Sequence, residues 1–384
     1  MKRVLHIISG FGGGVSSFVR NIVIGSKSHE IINDVAGFTS FPDFYITDVN
    51  QKGGDVYTLV RVRPMTVIES ILQLKGIVGK NKYEAVHLHI TDLPALYFWF
   101  FLKCFGVRRI ILHAHITDHQ DNKGFVKHVK YSFYRMLNSA IASQMASCSK
   151  MASAFRFGQK YVDNNKVMHV PNSINVSKYK FDITEEKKCE YRREFDIPDN
   201  AIVVGHVGYF GYQKNHRFML EIIERMKKRG INAVWLFVGI GEYFDDIQEL
   251  VKQKGIGNYV RFLKRRNDVN ELFEFMDVSI LPSYFEGLPT VAIECQAAGT
   301  PLLVSDSVSP ELDMGLGIVK FLSLNEQLDV WVDALIKLSN IVHVPSEIRC
   351  NKIKERYFTA EGAAHLYTLF INNEITYYNL HDKI

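Results

Sequence analysis

Short apolar runs alternate with longer stretches of helical periodicity along the whole 384-residue chain. Runs that are apolar on both faces are typical of buried parallel strands joined by helices. The pattern therefore predicts an α/β protein with parallel sheets. The predicted strands are Arg3–Ile8, Ala85–Leu88, Arg109–His113, Lys166–Val170, Ile202–Val207, Ala233–Val238, Tyr259–Leu263, Val278–Leu281 and Leu302–Val304.

The length of the chain and one turn-rich segment predict two domains. A chain of 384 residues is long for a single core. The turn-rich segment Pro171–Ser177 follows a predicted strand, and a new series of strands begins at Ile202. We therefore predict two Rossmann-like domains, at 1–170 and 171–345, followed by a helical tail at 346–384.

The segment after the predicted strand Val278–Leu281 holds two carboxylates eight positions apart, Glu286 and Glu294, with Gly287 and Pro289 between them. Pro289 fits the first position of a helix, where its missing N–H has no partner to lose. Glu286 is then expected on the loop at the carboxyl end of a strand, where open parallel sheets bind ligands. The free N–H groups of the helix start favour an anion, so two acceptors for hydroxyls would flank a phosphate. A nucleotide sugar needs this combination.

This segment resembles the Glu-x7-Glu signature, with Gly-Leu-Pro after the first Glu, of the retaining glycosyltransferases of family 4. That resemblance implies the GT-B fold, in which two Rossmann-like domains face a cleft and a terminal helix crosses back to the first domain. The amphipathic pattern from Thr359 to Phe370 fits that helix. The first domain would bind the acceptor and the second the nucleotide sugar. Glu286, with the backbone of Gly287, Leu288 and Pro289, would hold sugar hydroxyls, and Glu294 would hold the ribose.

A second segment, Gly205–His216, follows the first strand of the second predicted domain. It resembles the family segment Gly-Arg-Leu-x-x-x-Lys-Gly/Asn, whose Arg and Lys bind the donor diphosphate. Gly208 and Lys214 match, whereas Tyr209 stands where the family has Arg. A phenol cannot bind a phosphate bidentately as a guanidinium does, and Arg217 is the candidate substitute.

Two further segments fit the same resemblance. Gly12, Gly13 and Gly14 follow the first strand, but the segment does not match the dinucleotide-binding pattern Gly-x-Gly-x-x-Gly. Two interpretations therefore stay open, a plain tight turn and a loop over ligand phosphates. The resemblance favours the phosphate loop. The strand that ends near Lys264 corresponds to the segment that contacts the nucleotide base, with Lys264 in place of a usual Gly.

Four histidines close two of the predicted strands: His87, His89, His113 and His115. Alternation along a strand places His113 and His115 on the same face. Three interpretations stay open, namely a place in the core or cleft wall, a zinc site that needs further ligands, and contact with the donor sugar, which the resemblance implies for His115. A second carboxylate close to His115 is not evident in the sequence, apart from Asp118.

Charge and composition indicate the cellular compartment and the expected partners. Five scattered cysteines without Cys-x-x-Cys favour a reducing compartment. The apolar run Leu93–Leu102 is too short to span a bilayer and predicts a buried helix. Residues 1–170 carry 21 Lys and Arg against 11 Asp and Glu, which suits an acidic partner or an anionic membrane. Lys123–Arg135 mixes basic and aromatic residues at helical spacing, as a solvated helix face or a membrane contact would. Nucleic acid is not expected, because no base-reading module is visible.

We therefore predict a retaining enzyme that moves a hexose or N-acetylhexosamine from a nucleoside-diphosphate sugar, with UDP the expected nucleotide. The acceptor would be a saccharide or a polyprenyl-diphosphate-linked saccharide in bacterial capsule or exopolysaccharide synthesis. Glu286, His115 and Lys214 are the candidate catalytic residues. The chain contains no Asp-x-Asp, so neither a metal nor another cofactor is expected. The enzyme would be cytoplasmic, peripheral on the inner face of the membrane. Two alternatives are a nucleotide-sugar 2-epimerase and a non-catalytic nucleotide-sugar-binding partner protein.

Overall fold

The computed structural model describes residues 1–27, 30–117 and 125–378. The chain divides into two compact units, one formed by Met1–Ile174 with the chain from Arg356 onward, the other by Asn175–Glu355. The second division falls later than the predicted one after residue 345. The reason is Arg349, which is 1% exposed within the second unit and donates to a Glu274 carboxylate oxygen at 3.0 Å.

The first unit is built on one parallel sheet. Its strands are β1 (Lys2–Ile8), β2 (Ile31–Gly37), β3 (Val56–Thr58), β4 (Ala85–Leu88), β5 (Ile110–Ala114), β6 (Gln144–Ser147) and β7 (Val167–His169). Its helices before the second unit are α1 (Gly14–Gly25), α2 (Asp43–Gln51), α3 (Val67–Lys80), α4 (Asp92–Cys104), α5 (Phe125–Ile141), α6 (Lys150–Phe157) and α7 (Gln159–Asp163). The strand order is β3-β2-β1-β4-β5-β6-β7.

The second unit repeats the plan with a six-stranded parallel sheet. Its strands are β8 (Ile202–Val207), β9 (Ala233–Val238), β10 (Val260–Lys264), β11 (Val278–Leu281), β12 (Leu302–Ser305) and β13 (Val319–Leu322). Its helices are α8 (Glu185–Glu194), α9 (His216–Lys228), α10 (Phe244–Gln253), α11 (Val269–Phe275), α12 (Thr290–Ala297), α13 (Leu328–Ser339) and α14 (Ser346–Glu355). The strand order is β10-β9-β8-β11-β12-β13.

The last helix, α15 (Ala360–Ile371), returns to the first unit and packs on α1, as predicted. The Thr359 side chain caps its start by accepting from the Gly362 N–H at 3.0 Å. Arg109 satisfies two carbonyls at its end, those of Phe370 and Ile371, at 2.8 and 2.6 Å. A Cβ on Gly25 of α1 would lie 2.1 Å from the Ala360 carbonyl oxygen, so the close approach of the two helices requires glycine there.

All nine predicted strands are present, with ends that differ by no more than one residue. The strands β2, β3, β6 and β13 were not predicted. In each sheet the strand order reverses at one point, between β1 and β4 and between β8 and β11. Open parallel sheets bind ligands at the carboxyl ends of the strands beside such a reversal. In the described part of the chain, no helix is long and apolar enough to cross a bilayer.

Candidate active site

Lys214 and Glu286 meet at the strand reversal of the second unit. Lys214 ends a short 3₁₀ helix, Tyr212–Lys214, in the loop after β8, and Glu286 lies in the loop after the neighbouring strand β11. Lys214 Nζ donates to Glu286 Oε1 at 2.6 Å. Their side chains are only 13% and 9% exposed. Two residues that were predicted from separate motifs thus form one ion pair.

The Glu286 carboxylate has further donors on both oxygens. The Ser283 hydroxyl donates to Oε1 at 3.0 Å, and the Gln213 side-chain amide donates to Oε2 at 2.7 Å. Gln213 also donates to the Phe285 carbonyl oxygen at 2.9 Å, which ties the two loops together. The sequence analysis missed Ser283 and Gln213. The available signal was their position, because Gln213 precedes Lys214 and Ser283 follows strand β11 closely.

The loop that carries Glu286 is anchored to the next strand. The Ser283 carbonyl oxygen accepts from the hydroxyls of Ser305 and Ser307 at 2.5 and 2.7 Å. The Tyr284 N–H donates to the Gln213 carbonyl oxygen at 2.9 Å. The position of the Glu286 carboxylate is therefore set by contacts from three strand ends rather than by its own loop alone.

Among the described residues, the ion pair has no arginine beside it: Tyr209 stands at the family's arginine position, and Arg217, the candidate substitute, does not bind Glu286. The Tyr209 side chain is 59% exposed. Arg217 lines a cavity of about 270 Å³ with Tyr212, Tyr243 and Tyr284 among its walls. Within the described residues it makes no hydrogen bond or ion pair with Glu286.

Two glycines shape the backbone beneath Lys214. A Cβ on Gly208 would lie 3.2 Å from the Lys214 Cε, so glycine leaves room for the lysine side chain. Gly239, at the end of β9, has φ +140°, and a Cβ there would lie 1.9 Å from the Gly208 carbonyl oxygen. The loops after β8 and β9 pack too closely for any side chain at Gly239.

Lys264 adopts the backbone conformation of the glycine that the family resemblance leads one to expect. Its φ is +51°, next to a register shift between Phe262 and Lys264 in β10. Its carbonyl oxygen accepts from the Gly239 N–H at 2.7 Å. The left-handed conformation costs a residue with a Cβ about 1–2 kcal/mol. The exposed Lys264 side chain lies at the carboxyl end of the strand, where its predicted role in base binding remains a prediction.

The helix start after Glu286 differs by one residue from the prediction. Helix α12 begins at Thr290, so Pro289 is its N-cap residue, with an extended ψ of 113°, rather than its first residue. The missing N–H of proline is tolerated equally well outside the helix, because no intrahelical acceptor exists for it there. The apolar side chain of Leu288 is buried.

Glu294 is half-buried in α12. Burial raises the pKa of its carboxyl to about 7, and the nearby Lys178 ammonium opposes that rise. Burial penalises the charged form of an acid, so this carboxyl is poised to change its charge near neutral pH. Such a group in a ligand-binding position makes binding depend on pH.

In the first unit, Gly12 and Gly13 have φ values of +105° and +89°, which only glycine adopts readily. Ser16 closes this turn on itself, since its hydroxyl accepts from the Gly12 N–H at 3.1 Å and donates to the Gly13 carbonyl at 3.0 Å. Helix α1 then begins at Gly14. A Cβ on any of the three glycines would meet nothing within 4 Å, so the start of the helix is open to a ligand.

His115 belongs to a cluster of five histidines from the neighbouring strands β1, β4 and β5 and the residues that follow them. The members are His6, His87, His89, His113 and His115. The rings of His113 and His115 stack with centroids 4.1 Å apart, which confirms that they share a face. Burial lowers the pKa of His115 to about 3 and that of His6 to about 4. The cluster is therefore neutral at pH 7.

Two overlapping triplets of this cluster have the composition of a metal site. The ligand nitrogens of His6, His87 and His89, and those of His89, His113 and His115, lie within 4.8 Å of one another. Each triplet therefore brings three histidine nitrogens close together, which the zinc interpretation requires and which the sequence alone could not show. Asp118, the carboxylate named with His115 in the sequence, lies outside the described residues.

The chain is similar in sequence to known glycosyltransferases. Residues 187–346 match the family model described as "Glycosyl transferases group 1". The chain is 28% identical over 338 residues to EpsF of Bacillus subtilis (strain 168), whose name describes a glycosyltransferase, with 88% of this chain and 87% of EpsF covered. It is 21% identical over 310 residues to the UDP-Gal:alpha-D-GlcNAc-diphosphoundecaprenol alpha-1,3-galactosyltransferase of Escherichia coli, with 79% of each chain covered.

Solved structures share the fold at low sequence identity. A glycosyltransferase from Rickettsia africae ESF-5 has a TM-score of 0.76 at 13% identity and covers 97% of this chain and 98% of its own. Anabaena Alr3699/HepE in complex with UDP-glucose has a TM-score of 0.71 at 14% identity, with the same coverage. The two-unit α/β architecture is therefore the GT-B fold of glycosyltransferases.

Proposed function

We propose, from the group 1 glycosyltransferase match at residues 187–346 and the Lys214–Glu286 pair, that this chain transfers a hexose or N-acetylhexosamine from a nucleoside-diphosphate sugar, with UDP the expected nucleotide. The observation that carries the proposal is the buried ion pair at the strand reversal of the second unit. The cation of this pair would bind the diphosphate, and the carboxylate would bind sugar hydroxyls a few ångströms away. The enzyme would use both groups on one donor molecule.

Lys214 is proposed to stabilise the charge that develops on the departing diphosphate. Before the donor binds, its ammonium is held by Glu286 at 2.6 Å, so it is already in place and largely shielded from water. Donors that are fixed in advance near developing charge can each contribute about 10²-fold to the rate or more. The start of α12 would add backbone N–H groups of the same kind.

Glu286 and Glu294 are proposed to hold the two sugars of the donor. The Glu286 carboxylate, which Lys214, Ser283 and Gln213 hold in place, would accept from hydroxyls of the transferred sugar. Glu294 would accept from the ribose hydroxyls. The proposed reaction needs no metal, because Lys214 and the start of α12 would meet the charge of the diphosphate. Transfer with retention is what the resemblance to family 4 supports.

The acceptor is proposed to be a polyprenyl-diphosphate-linked saccharide, bound by the first unit. This follows the name of the relative from Escherichia coli, which acts on a diphosphoundecaprenol-linked sugar. A place in exopolysaccharide or capsule synthesis is what the resemblance to family 4 suggests. A lipid-linked acceptor requires that the enzyme reach a membrane.

An apolar face on the first unit supports peripheral contact with the cytoplasmic membrane surface. It consists of exposed side chains on three helices that pack in sequence, α3, α4 and α5. The side chains are Ile68, Leu72, Leu93, Phe100, Val126, Val129, Phe133 and Met136. Leu93 and Phe100 are each 52% exposed, so the helix predicted to be buried is only partly so. Exposed Lys75, Lys103 and Lys130 on the same helices would favour anionic lipids.

Transfer assays test the proposal directly. The purified protein is incubated with UDP-glucose, UDP-galactose, UDP-N-acetylglucosamine or UDP-N-acetylgalactosamine and a polyprenyl-diphosphate-linked saccharide. We expect one donor to yield a product longer by one sugar, and the anomeric coupling in its NMR spectrum to show retention. Conversion of the donor to another nucleotide sugar without acceptor would support the 2-epimerase instead. Binding of UDP without any turnover would support the non-catalytic partner protein.

A further inference from the structure

A cavity of about 270 Å³ lies in the second unit, at the starts of α9 and α10. The walls of this tyrosine cavity include one tyrosine from each of three loops: Tyr212 after β8, Tyr243 after β9 and Tyr284 after β11. Tyr212 and Tyr284 belong to the same two loops as Lys214 and Glu286, but neither member of that ion pair lines the cavity. The cavity is therefore a neighbour of the candidate active site rather than a part of it.

The aromatic walls are fixed before any ligand binds. The rings of Tyr212 and Tyr284 stack with centroids 4.8 Å apart and an angle of 25° between them. The Tyr284 N–H donates to the Gln213 carbonyl oxygen at 2.9 Å, and the Tyr243 N–H donates to the Phe210 carbonyl oxygen at 3.0 Å. Tyr212 and Tyr284 are nevertheless 36% and 41% exposed. A fixed aromatic surface that stays open to solvent is suited to a ligand with an apolar face.

Polar side chains of opposite charge complete the lining of the cavity. Arg217 lies in the first turn of α9 and Asp246 in the first turn of α10, and both are exposed. Asn215, the residue before α9, adds an amide. A guanidinium donates, a carboxylate accepts and an amide does both, so this lining binds groups that are donors and acceptors at once. Hydroxyl groups are of that kind.

A pyranose ring has this combination of surfaces. One of its faces carries mainly C–H groups and fits against a tyrosine ring, while the hydroxyls around its edge donate and accept. A phosphate would be attracted by Arg217 but repelled by Asp245 and Asp246, which both lie in the first turn of α10. A nucleotide is therefore a poorer match for the cavity than a neutral sugar.

We propose that the tyrosine cavity binds one pyranose ring of a saccharide chain, at a site separate from that of the nucleotide sugar. Tyr212 and Tyr284 would contact the face of the ring, and Arg217 and Asp246 would bind its hydroxyls. Only the source of the chain, the polysaccharide that the enzyme extends, rests on the proposed function. A chain held at a second point stays near the enzyme between transfers, which raises its effective concentration.

Binding of simple sugars tests the proposal without any transfer assay. Saturation-transfer difference NMR is recorded on the full chain in excess UDP, with the methyl glycosides of glucose, galactose, mannose, N-acetylglucosamine, N-acetylgalactosamine, fucose and rhamnose. We expect at least one glycoside to bind, with the strongest transfer to the protons of one ring face. No binding by any of these glycosides would overturn the proposal. Binding only when UDP is left out would mean a shared site and would also overturn it.

Substitutions in the cavity locate the bound sugar. Tyr212→Ala and Tyr284→Ala should each weaken binding of that glycoside by about tenfold, because the sugar loses an aromatic contact. Asp246→Asn, at an exposed position, should weaken it several-fold and decides the matter if a tyrosine variant does not fold. Phe181→Ala removes an 80% exposed ring from the same unit and should have no effect. Unchanged affinity in the cavity variants, or a loss in Glu286→Gln instead, would overturn the site.

Glycoside binding and sugar transfer are independent readouts. A protein that binds the glycoside in the tyrosine cavity but transfers no sugar would contradict the proposed function alone. A protein that transfers sugar but binds no glycoside there would contradict the second saccharide site alone.

Discussion

Lys214 Nζ lies 2.6 Å from Glu286 Oε1, and both side chains are largely buried at the carboxyl ends of two neighbouring strands. Such an ion pair gains little stability overall, because removing two charges from water offsets their attraction. It does hold a cation and a carboxylate at a fixed spacing before any ligand arrives. In our account, that spacing is the one that a sugar diphosphate needs.

Lys214→Ala should abolish most of the transfer activity. We expect the rate to fall by about 10²-fold or more, because the departing diphosphate loses its preorganised cation. The variant should also lose roughly 3 kcal/mol of stability, since the buried Glu286 carboxylate loses the cation that pairs with it. Steady-state kinetics and chemical unfolding measure the two effects. Lys254→Ala is the matched control, because Lys254 also pairs with a carboxylate at 2.6 Å but at a more exposed position, and it should change neither quantity by much.

Gln213→Met should lower kcat without weakening nucleotide binding. Gln213 donates to Glu286 Oε2 and to the Phe285 carbonyl oxygen, so its loss frees the carboxylate to rotate away from the sugar. A reduction of about tenfold in kcat is expected from a misplaced group of this kind. Calorimetry should find UDP affinity unchanged. A large loss of UDP affinity would show that Gln213 acts on the nucleotide rather than on Glu286. Gln253→Met, which removes an exposed amide, provides the comparison.

The affinity for UDP should fall as the pH drops below neutrality. The pKa of Glu294 is raised to about 7 by burial, so below that pH the carboxyl must lose a proton before it accepts from the ribose hydroxyls. We expect the dissociation constant to rise by up to about tenfold per pH unit between pH 7 and pH 5. Calorimetry at several pH values tests this. UDP itself ionises in this range, so the Glu294→Gln protein is needed to subtract the contribution of the nucleotide.

Glu294→Gln should also change the thermal stability of the protein in the absence of nucleotide. A carboxyl whose pKa is higher in the folded state than in the unfolded state destabilises the fold as the pH rises through that interval. Glu294→Gln should therefore raise the melting temperature at pH 8 and change it little at pH 4.5. An equal gain at both pH values would mean that packing, rather than charge, explains it.

The apolar face on α3, α4 and α5 should bind anionic vesicles. Phe133 and Met136 are 46% and 62% exposed on α5. Replacing both by serine should reduce cosedimentation with phosphatidylglycerol vesicles several-fold, because the apolar area that enters the interface is lost. Phe181→Ser removes a more exposed aromatic ring, 80% exposed, from the second unit and should have no effect. Equal losses in both proteins would contradict a specific membrane face.

The strands that define the fold were predictable because each is mostly apolar and no two adjacent polar side chains interrupt it. Strand β2 was missed, since Asn33 and Asp34 stand in its middle and resemble a loop. Both are buried, and long-range partners satisfy them: Asp34 accepts from Arg3 at 2.7 Å and from Tyr83 at 2.6 Å. A pattern along the chain cannot show that a polar residue has a partner far away in sequence.

Only those site residues that belong to a recognisable motif were predictable from the sequence. Glu286, Lys214 and Gly208 carry recognisable spacing, and the structure brings them together. Ser283 and Gln213, which donate to Glu286 and orient it, belong to no motif. Any hydroxyl or amide within reach could do the same. The cluster of five histidines likewise depends on which strands pair in the sheet, and no spacing along the chain reveals that pairing.

Thermal unfolding in the presence of UDP, GDP, ADP or dTDP tests the central claim most directly, namely that the second unit binds a nucleoside diphosphate through Glu294 and Lys214. A ligand present at 100 times its dissociation constant stabilises the folded state by about 2.7 kcal/mol, enough to raise the melting temperature by several degrees. We predict such a rise with one of the four nucleotides in the wild type, and its loss in Glu294→Ala and Lys214→Ala. No rise with any nucleotide, or an equal rise in the two variants, would contradict the account.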